Sequence, residues 1–290
     1  MLTILFDGVA YGMLLFVLAI GLSVTLGLMN FINLAHGAFA MAGGYTTVLL
    51  MRNYDVPFLW CIPIAFIVAA VLGAVLERTL YRPMYNKPPL DQVLFSIGLA
   101  FIAVTAVDYS IGSSEQIIQL PEWLRGRTEI AIGDQVLAMG HYRILIIAIC
   151  LVLTVLLQYI LNKTRFGSRL RAAVDDQRVA GGLGINVNVV FFSTFAFGSG
   201  LAGLGGALGA EVLGLDPTFP FKFMIYFLIV VAIGGTSSLT GPLLASLLLG
   251  IADVAGKYYI PELGSFIVYI VMIVILLWRP QGLFAARGGK

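Results

Sequence analysis

Two short stretches interrupt otherwise apolar sequence with glycine and small polar side chains. Gly27–Tyr45 reads GLMNFINLAHGAFAMAGGY and carries Asn30, Asn33, His36 and Gly37. Gly234–Pro242 reads GGTSSLTGP and carries Gly234, Gly235, Thr236, Ser237 and Ser238. Amides, hydroxyls and an imidazole exchange hydrogen bonds with a passing solute; they do not by themselves make or break covalent bonds. Irregular backbone at membrane depth is tolerated only where protein or a water-lined cavity satisfies it. Broken segments in both halves of a chain point to a transport path, so these nine residues are candidates for bordering one. The alternative is that each stretch is a loop at the membrane surface. His36 reads as a hydrogen-bonded structural residue, because a proton relay needs a charged neighbour and Asp7 and Asp55 offer no obvious pairing.

Other chemistry has no visible seat. The chain contains no G-x-x-x-x-G-K-[ST] phosphate loop, no H-E-x-x-H, no CxxC and no G-x-S-x-G nucleophile elbow. It therefore reads as no enzyme, with no metal site and no means of its own to bind ATP phosphates. Cys61 and Cys150 sit in apolar stretches and read as buried free thiols. No secretory signal peptide is expected, since Asp7 and no basic residue precedes the first apolar run.

The elements that hold these stretches follow from composition. Hydrophobic residues make up 60% of the 290 and charged residues 11%, whereas soluble domains carry about 25% charged residues. Lipid must be the solvent for most of the chain, and a net charge of +2 with no long basic tract gives no case for nucleic acid. The expected fold is all-α: a single transmembrane domain over residues 1–290, a polytopic helix bundle with eight or nine membrane segments, some broken or re-entrant. Crossing takes roughly twenty apolar residues. Val9–Leu28, Val56–Leu76, Val93–Ile111, Ile144–Leu161, Val187–Leu213 and Gly264–Trp278 fit that demand. Leu34–Met51, Phe223–Ile233 and Leu243–Ala255 are Gly-interrupted or short, and the last two together read as two crossings or as one re-entrant hairpin.

Charge sets the orientation. Lys163–Asn186, Glu77–Leu90 and the tail after Trp278 fall on one side and hold eleven of the seventeen Lys and Arg. Positive loops stay in the cytoplasm, which places the C-terminus there and the N-terminus outside. Gly112–Tyr142 is then an external loop, read as a surface loop with a short interfacial helix.

Two further patterns concern packing. In Val187–Leu213, Gly198, Ala202, Gly206 and Ala210 recur every fourth residue, as do Ser199, Gly203 and Ala207. Such faces let helix backbones approach closely, so this helix is expected at the centre of the bundle. The loop Thr164–Asn186 reads TRFGSRLRAAVDDQRVAGGLGIN. Its stretch Ser168–Val179 is expected to be a short helix capped by Ser168 and stopped at Gly181–Gly182, with Arg171 pairing to Asp175 or Asp176 one turn away.

Taken together, GLSVTLGLMNFINLAHGAFAMAGGY, TRFGSRLRAAVDDQRVAGGLGIN, FAFGSGLAGLGGAL, IGGTSSLTGPLLASLLLG and RPQGLF resemble the permeases of branched-chain amino acid ABC transporters, of the shorter LivH type. The resemblance implies a bacterial inner-membrane importer with a second, dissimilar permease, two cytoplasmic ATPase subunits that hold ATP-Mg, and a periplasmic binding protein. This chain would bind no cofactor. The resemblance also makes residues 163–186 the segment coupled to an ATPase, through Arg169, Arg171, Ala172, Ala173, Asp175, Asp176, Ala180, Gly181 and Gly184. The segment departs from the importer pattern E-A-A-x-x-x-G, because Arg171 precedes Ala172–Ala173 and Gln177 stands where Gly is expected. The implied cargo is a branched-chain or other small neutral amino acid. Urea, short amides and small organic acids stay open, as does an ion-coupled transporter using Asp108 or Asp253.

Overall fold

The computed structural model describes residues 1–29, 31–132, 135–235, 239–279 and 282–283. Asn30, Thr236, Ser237 and Ser238, named above as path candidates, lie outside the described residues. The regular elements in chain order are α1 (Leu2–Met29), α2 (His36–Tyr54), α3 (Phe58–Leu76), α4 (Pro89–Ile111), α5 (Glu122–Arg125), β1 (Arg127–Ile132), β2 (Gln135–Gly140), α6 (His141–Lys163), α7 (Arg165–Asp175), α8 (Gln177–Gly182), α9 (Val187–Leu213), α10 (Phe219–Gly234), α11 (Thr240–Tyr259) and α12 (Gly264–Trp278).

The fold is a polytopic helical membrane bundle. Among the described residues five segments are long and apolar enough to cross a bilayer: Leu2–Gly27, Phe58–Met84, Pro89–Ile111, His141–Lys163 and Val187–Leu213. Of the other apolar runs, α10 and α12 have 16 and 15 residues. At 1.5 Å per residue α12 spans about 22 Å, short of a hydrocarbon core of about 30 Å. The helices α2 and α11 reach 19 and 20 residues but carry His36 and Arg52, and Asp253 and Lys257. Boundaries follow local chemistry. The first turn of α4 begins with Pro89, whose fixed φ suits that position. Asn186 caps α9 by accepting from the Val189 amide at 3.2 Å. Past its last turn α3 widens into a π-helical turn, Glu77–Tyr81.

The chain divides into two compact units. One comprises Met1–Ala19, Gln119–Leu153 and Tyr226–Lys290, the other Ile20–Ile118 and Thr154–Ile225. The core of the second unit is α2, α3 and α9 at backbone separation. A Cβ on Gly43 would overlap the Gly203 backbone, and one on Gly206 the Ala40 backbone. A Cβ on Gly203 would come 2.8 Å from the Ala65 carbonyl. Lipid supplies no hydrophobic drive between helices, so close van der Waals contact has to hold them.

In the first unit α1 and α11 run antiparallel in the same manner. Gly8 faces Ile251, and Gly12 faces Ser246 and Leu247. A 3₁₀ turn, Pro261–Leu263, returns the chain into α12. The segment read as a surface loop with a short helix holds that helix, the four-residue α5, and also a hairpin absent from the sequence reading. There β1 and β2 pair antiparallel with Arg127 opposite Gly140 and Ile130 opposite Leu137, and the Ala138 amide donates to Thr3 Oγ1 at 3.2 Å.

The basic loop departs from expectation in three details. Thr164, not Ser168, caps its helix, accepting from the Gly167 amide, while Ser168 lies inside α7 and donates to the Arg165 carbonyl at 3.0 Å. The helix breaks at Asp176, whose carboxylate accepts from the amides of Arg178 and Val179 at 2.8 and 3.0 Å and so starts α8. A carboxylate that caps one helix ends the other, because its own backbone is extended there. Arg171 forms no ion pair with Asp175 or Asp176 among the described residues; its guanidinium donates to the Leu161 carbonyl at the end of α6.

Candidate functional site

The first broken segment is a loop held by side chains from distant helices. Between α1 and α2 the chain leaves helical geometry at residues 31–35, and its polar groups need partners. Asn33, 1% exposed, accepts on Oδ1 from the Ala35 amide at 3.1 Å and from the Tyr81 hydroxyl at 3.0 Å. The Ile32 amide donates to Gln92 Oε1 at 3.2 Å, and the Leu34 amide to Ser96 Oγ at 3.1 Å. Gln92 and Ser96 are buried and lie one turn apart on α4. Gln92 also donates from Nε2 to the Lys87 carbonyl at 3.1 Å, tying the chain before α4 to the same point.

An aromatic collar surrounds this loop. Phe31 meets the rings of Tyr81 and Tyr85 edge-on, each at 5.5 Å, and Tyr81 packs at 4.6 Å on Phe195. The Tyr85 hydroxyl donates to Glu77 at 2.9 Å. Burial and the neighbouring Glu77 carboxyl push the Tyr85 phenol above its ordinary range, which keeps it a donor. His36 is 2% exposed, its amide donating to the Asn33 carbonyl at 3.3 Å and its ring lying against Gly21. A Cβ on Gly37 would come 2.8 Å from Pro220 Cα, so glycine is needed for that approach. Asn33, His36 and Gly37 thus gather at the start of α2. Tyr81, Gln92 and Ser96, which complete the arrangement, were missed by sequence reasoning.

The second broken segment lies in the other unit. Gly234 ends α10 against the backbone of Gly241 and Pro242, and Gly235 follows at φ +75°. Gly282 and Leu283, from the stretch RPQGLF, lie at this point. The Leu283 amide donates to the Ile233 carbonyl at 2.7 Å, Arg279 Nη1 donates to the Leu283 carbonyl at 3.1 Å, and Gly282 adopts φ +86° over the carbonyls of Ala232 and Ile233. A helix leaves its last carbonyls unpaired, and here a residue some fifty positions downstream satisfies one of them.

Residues 163–186 present an exposed face. Arg169, Arg171, Asp175, Asp176, Gly181 and Gly184 are exposed, with Val179 and Leu183 at 59% and 75%. Ala173 and Ala180 turn inward, and Ala172 is half-buried. Gly184 sits at φ +81° after α8. Of the packing series, Gly198 lies against Gly21 and Gly206 against Ala40, while Ala202 and Ala210 are buried. Beyond α9, Asp216 accepts from the amide and hydroxyl of Thr218 and pairs with Lys222. Burial alone would raise the Asp216 carboxyl; Lys222 and Thr218 outweigh it and hold the carboxyl below the usual carboxylate range. Among the described residues no group of His, Cys, Asp and Glu could hold a metal ion.

An apolar multi-helix chain with two interrupted segments, the first of them satisfied by buried side chains, is an architecture that suits a membrane permease. The pattern that defines the family described as "Branched-chain amino acid transport system / permease component" matches residues 4–276, and the chain belongs to that family. It is 28% identical over 294 residues to the "High-affinity branched-chain amino acid transport system permease protein LivH" of Escherichia coli, covering 96% of this chain and 94% of the relative. It is 29% identical over 292 residues to the permease protein BraD of Pseudomonas aeruginosa, with the same coverage. The permease protein LivM of Escherichia coli is 24% identical over 293 residues, which is 93% of this chain and 68% of that one. No solved structure matches.

Proposed function

We propose that this chain is one of two dissimilar membrane subunits of an ATP-driven importer that moves branched-chain or other small neutral amino acids across the bacterial inner membrane. The observation that carries the reading is family membership over residues 4–276. Likeness to relatives named both LivH and LivM supports a dissimilar second permease beside it. The chain has no phosphate-loop sequence, so work from ATP would reach it through a partner. In this reading it performs no catalysis and binds no cofactor. ATP-Mg sits in two cytoplasmic ATPase subunits, and a periplasmic binding protein delivers the solute.

The exposed face of α7 and α8, with Arg169, Arg171, Asp175 and Asp176 outward, is suited to dock an ATPase. Basic bias puts that face and the C-terminus in the cytoplasm, the N-terminus and the hairpin outside. Closure of the ATPases would shift a bistable bundle between outward and inward openings through differential contacts with each state. The loops at Asn33–Gly37 and Gly234–Gly235 would border the route. A tagged chain purified in mild detergent tests the assembly: the expected result is co-purification of a second permease and two ATPases. Transport by vesicles holding this chain alone would contradict the reading.

A further inference from the structure

We propose that Asp253 and Lys257 form a subsite for the two charges of a zwitterionic solute in passage, a reading that rests on the chain being an amino-acid permease. Asp253 lies on α11 and is 2% exposed. It is six residues before the end of the helix, about 9 Å along the axis. Buried acidic residues in a membrane protein are costly and mark solute or ion pathways.

The arrangement is poorly explained as an internal strut. Lys257, one turn on, donates to Asp253 Oδ2 at 2.6 Å, with its side chain 52% exposed. Asp253 Oδ1 is buried and has no hydrogen-bond partner among the described residues. A half-exposed i,i+4 ion pair contributes little stability, because water screens it. A buried carboxylate oxygen left without a hydrogen bond costs more than such a pair returns. As a strut the pair loses more than it gains, and an apolar residue at position 253 would serve α11 better.

The pair stands beside an aromatic ring. Lys257 Nζ stands 5.8 Å from the centre of the Tyr11 ring. Aromatic faces attract cations most strongly where water is scarce. Asp7, whose Oδ1 also has no hydrogen-bond partner among the described residues, is less deeply buried than Asp253, its side chain 18% exposed against 2%.

Charge balance selects the solute class. Asp253 and Lys257 are neutral as a pair, so a simple cation or anion bound there would leave one unpaired charge at low dielectric. A zwitterion leaves none. Its ammonium is held on Asp253 Oδ1, and its carboxylate takes a free donor of the Lys257 ammonium, which has three. The solute's side chain plays no part, so the subsite discriminates by the α-carbon end and leaves side-chain selection elsewhere.

The test uses the complete transporter in vesicles with leucine-loaded binding protein, reading leucine moved per ATP hydrolysed. Asp253→Asn and Lys257→Met are each expected to lower that ratio about tenfold, the loss of one charge-assisted hydrogen bond. A purely structural defect would lower assembly, and with it both rates together. If Asp253→Asn does not assemble, Lys257→Met on its half-exposed side chain supplies the same readout. An unchanged ratio in the variant that assembles overturns the subsite. A wild-type complex that moves no zwitterion overturns the permease reading instead.

Discussion

The Tyr81 hydroxyl donates to Asn33 Oδ1 at 3.0 Å, joining the turn after α3 to the loop before α2 across 48 residues of sequence. Neither side chain reaches solvent, with Tyr81 at 0% and Asn33 at 1%. The polar loop is therefore fastened from within, and removing the fastening should show in stability. Tyr81→Phe is expected to cost about 1 kcal/mol, the usual worth of one such bond. Asn33→Leu should cost about 2 kcal/mol or more, because it strands both the Tyr81 hydroxyl and the Ala35 amide. Thermal unfolding of the detergent-solubilised protein should rank wild type, Tyr81→Phe, Asn33→Leu; equal midpoints would contradict the fastening.

Backbone contact among α2, α3 and α9 makes a sharper expectation. Gly206→Val and Gly43→Val drive side chains into the backbones of Ala40 and Gly203 and should cost about 3 kcal/mol or more. Gly98→Ala has nothing within 4 Å and should be silent. Size-exclusion profiles after membrane extraction separate the two groups, and a monodisperse Gly206→Val would count against the packing.

What could be read ahead of the structure was what depends on short stretches. Nine apolar runs marked nine helices, and Gly198, Gly203 and Gly206 announced close packing by type and spacing. Partnerships across long separations stayed hidden. Nothing near Asn33 names Tyr81, although Gln92 and Ser96, polar and four apart at the start of an apolar run, were a signal that this face of α4 meets backbone. The hairpin was also signalled, since RTEIAI and QVLAMG flank a Gly-Asp pair. Hydroxyl residues at both Thr164 and Ser168 made the cap of α7 ambiguous, and only the fold of Gly167 onto Leu161 decides it.

The cap at Asp176 changes how the proposed coupling face is tested. Asp176→Lys removes the α8 cap, about 1 kcal/mol of local stability, so its effect mixes folding with docking. Asp175 is exposed and has no such duty. Asp175→Lys is expected to leave insertion and thermal stability unchanged while lowering ATPase stimulation by the loaded binding protein about tenfold. Full stimulation with Asp175→Lys and Arg178→Glu combined would remove α7 and α8 from the coupling role.

Asp216 gives a pH dependence with a definite sign. Its folded pKa lies below the usual value of 3.8, so its pairing with Lys222 and Thr218 adds stability above that value. The contribution falls away as pH drops through the lower, folded value. The midpoint difference between wild type and Asp216→Asn should be constant from neutral pH down to about pH 5 and shrink below about pH 4. A difference that grows on acidification would show the sign to be wrong.

The central claim is that this chain moves amino acids only through ATP hydrolysed by its partners. The direct measurement is leucine uptake by vesicles containing the co-purified complex, with leucine-loaded binding protein outside the transport path's entry and ATP held constant at the ATPase side. Uptake that requires ATP and persists when an uncoupler collapses the proton gradient is the predicted result. Uptake that stops with the uncoupler while ATP is still hydrolysed would contradict it and return Asp253 to the role of an ion-coupling acid.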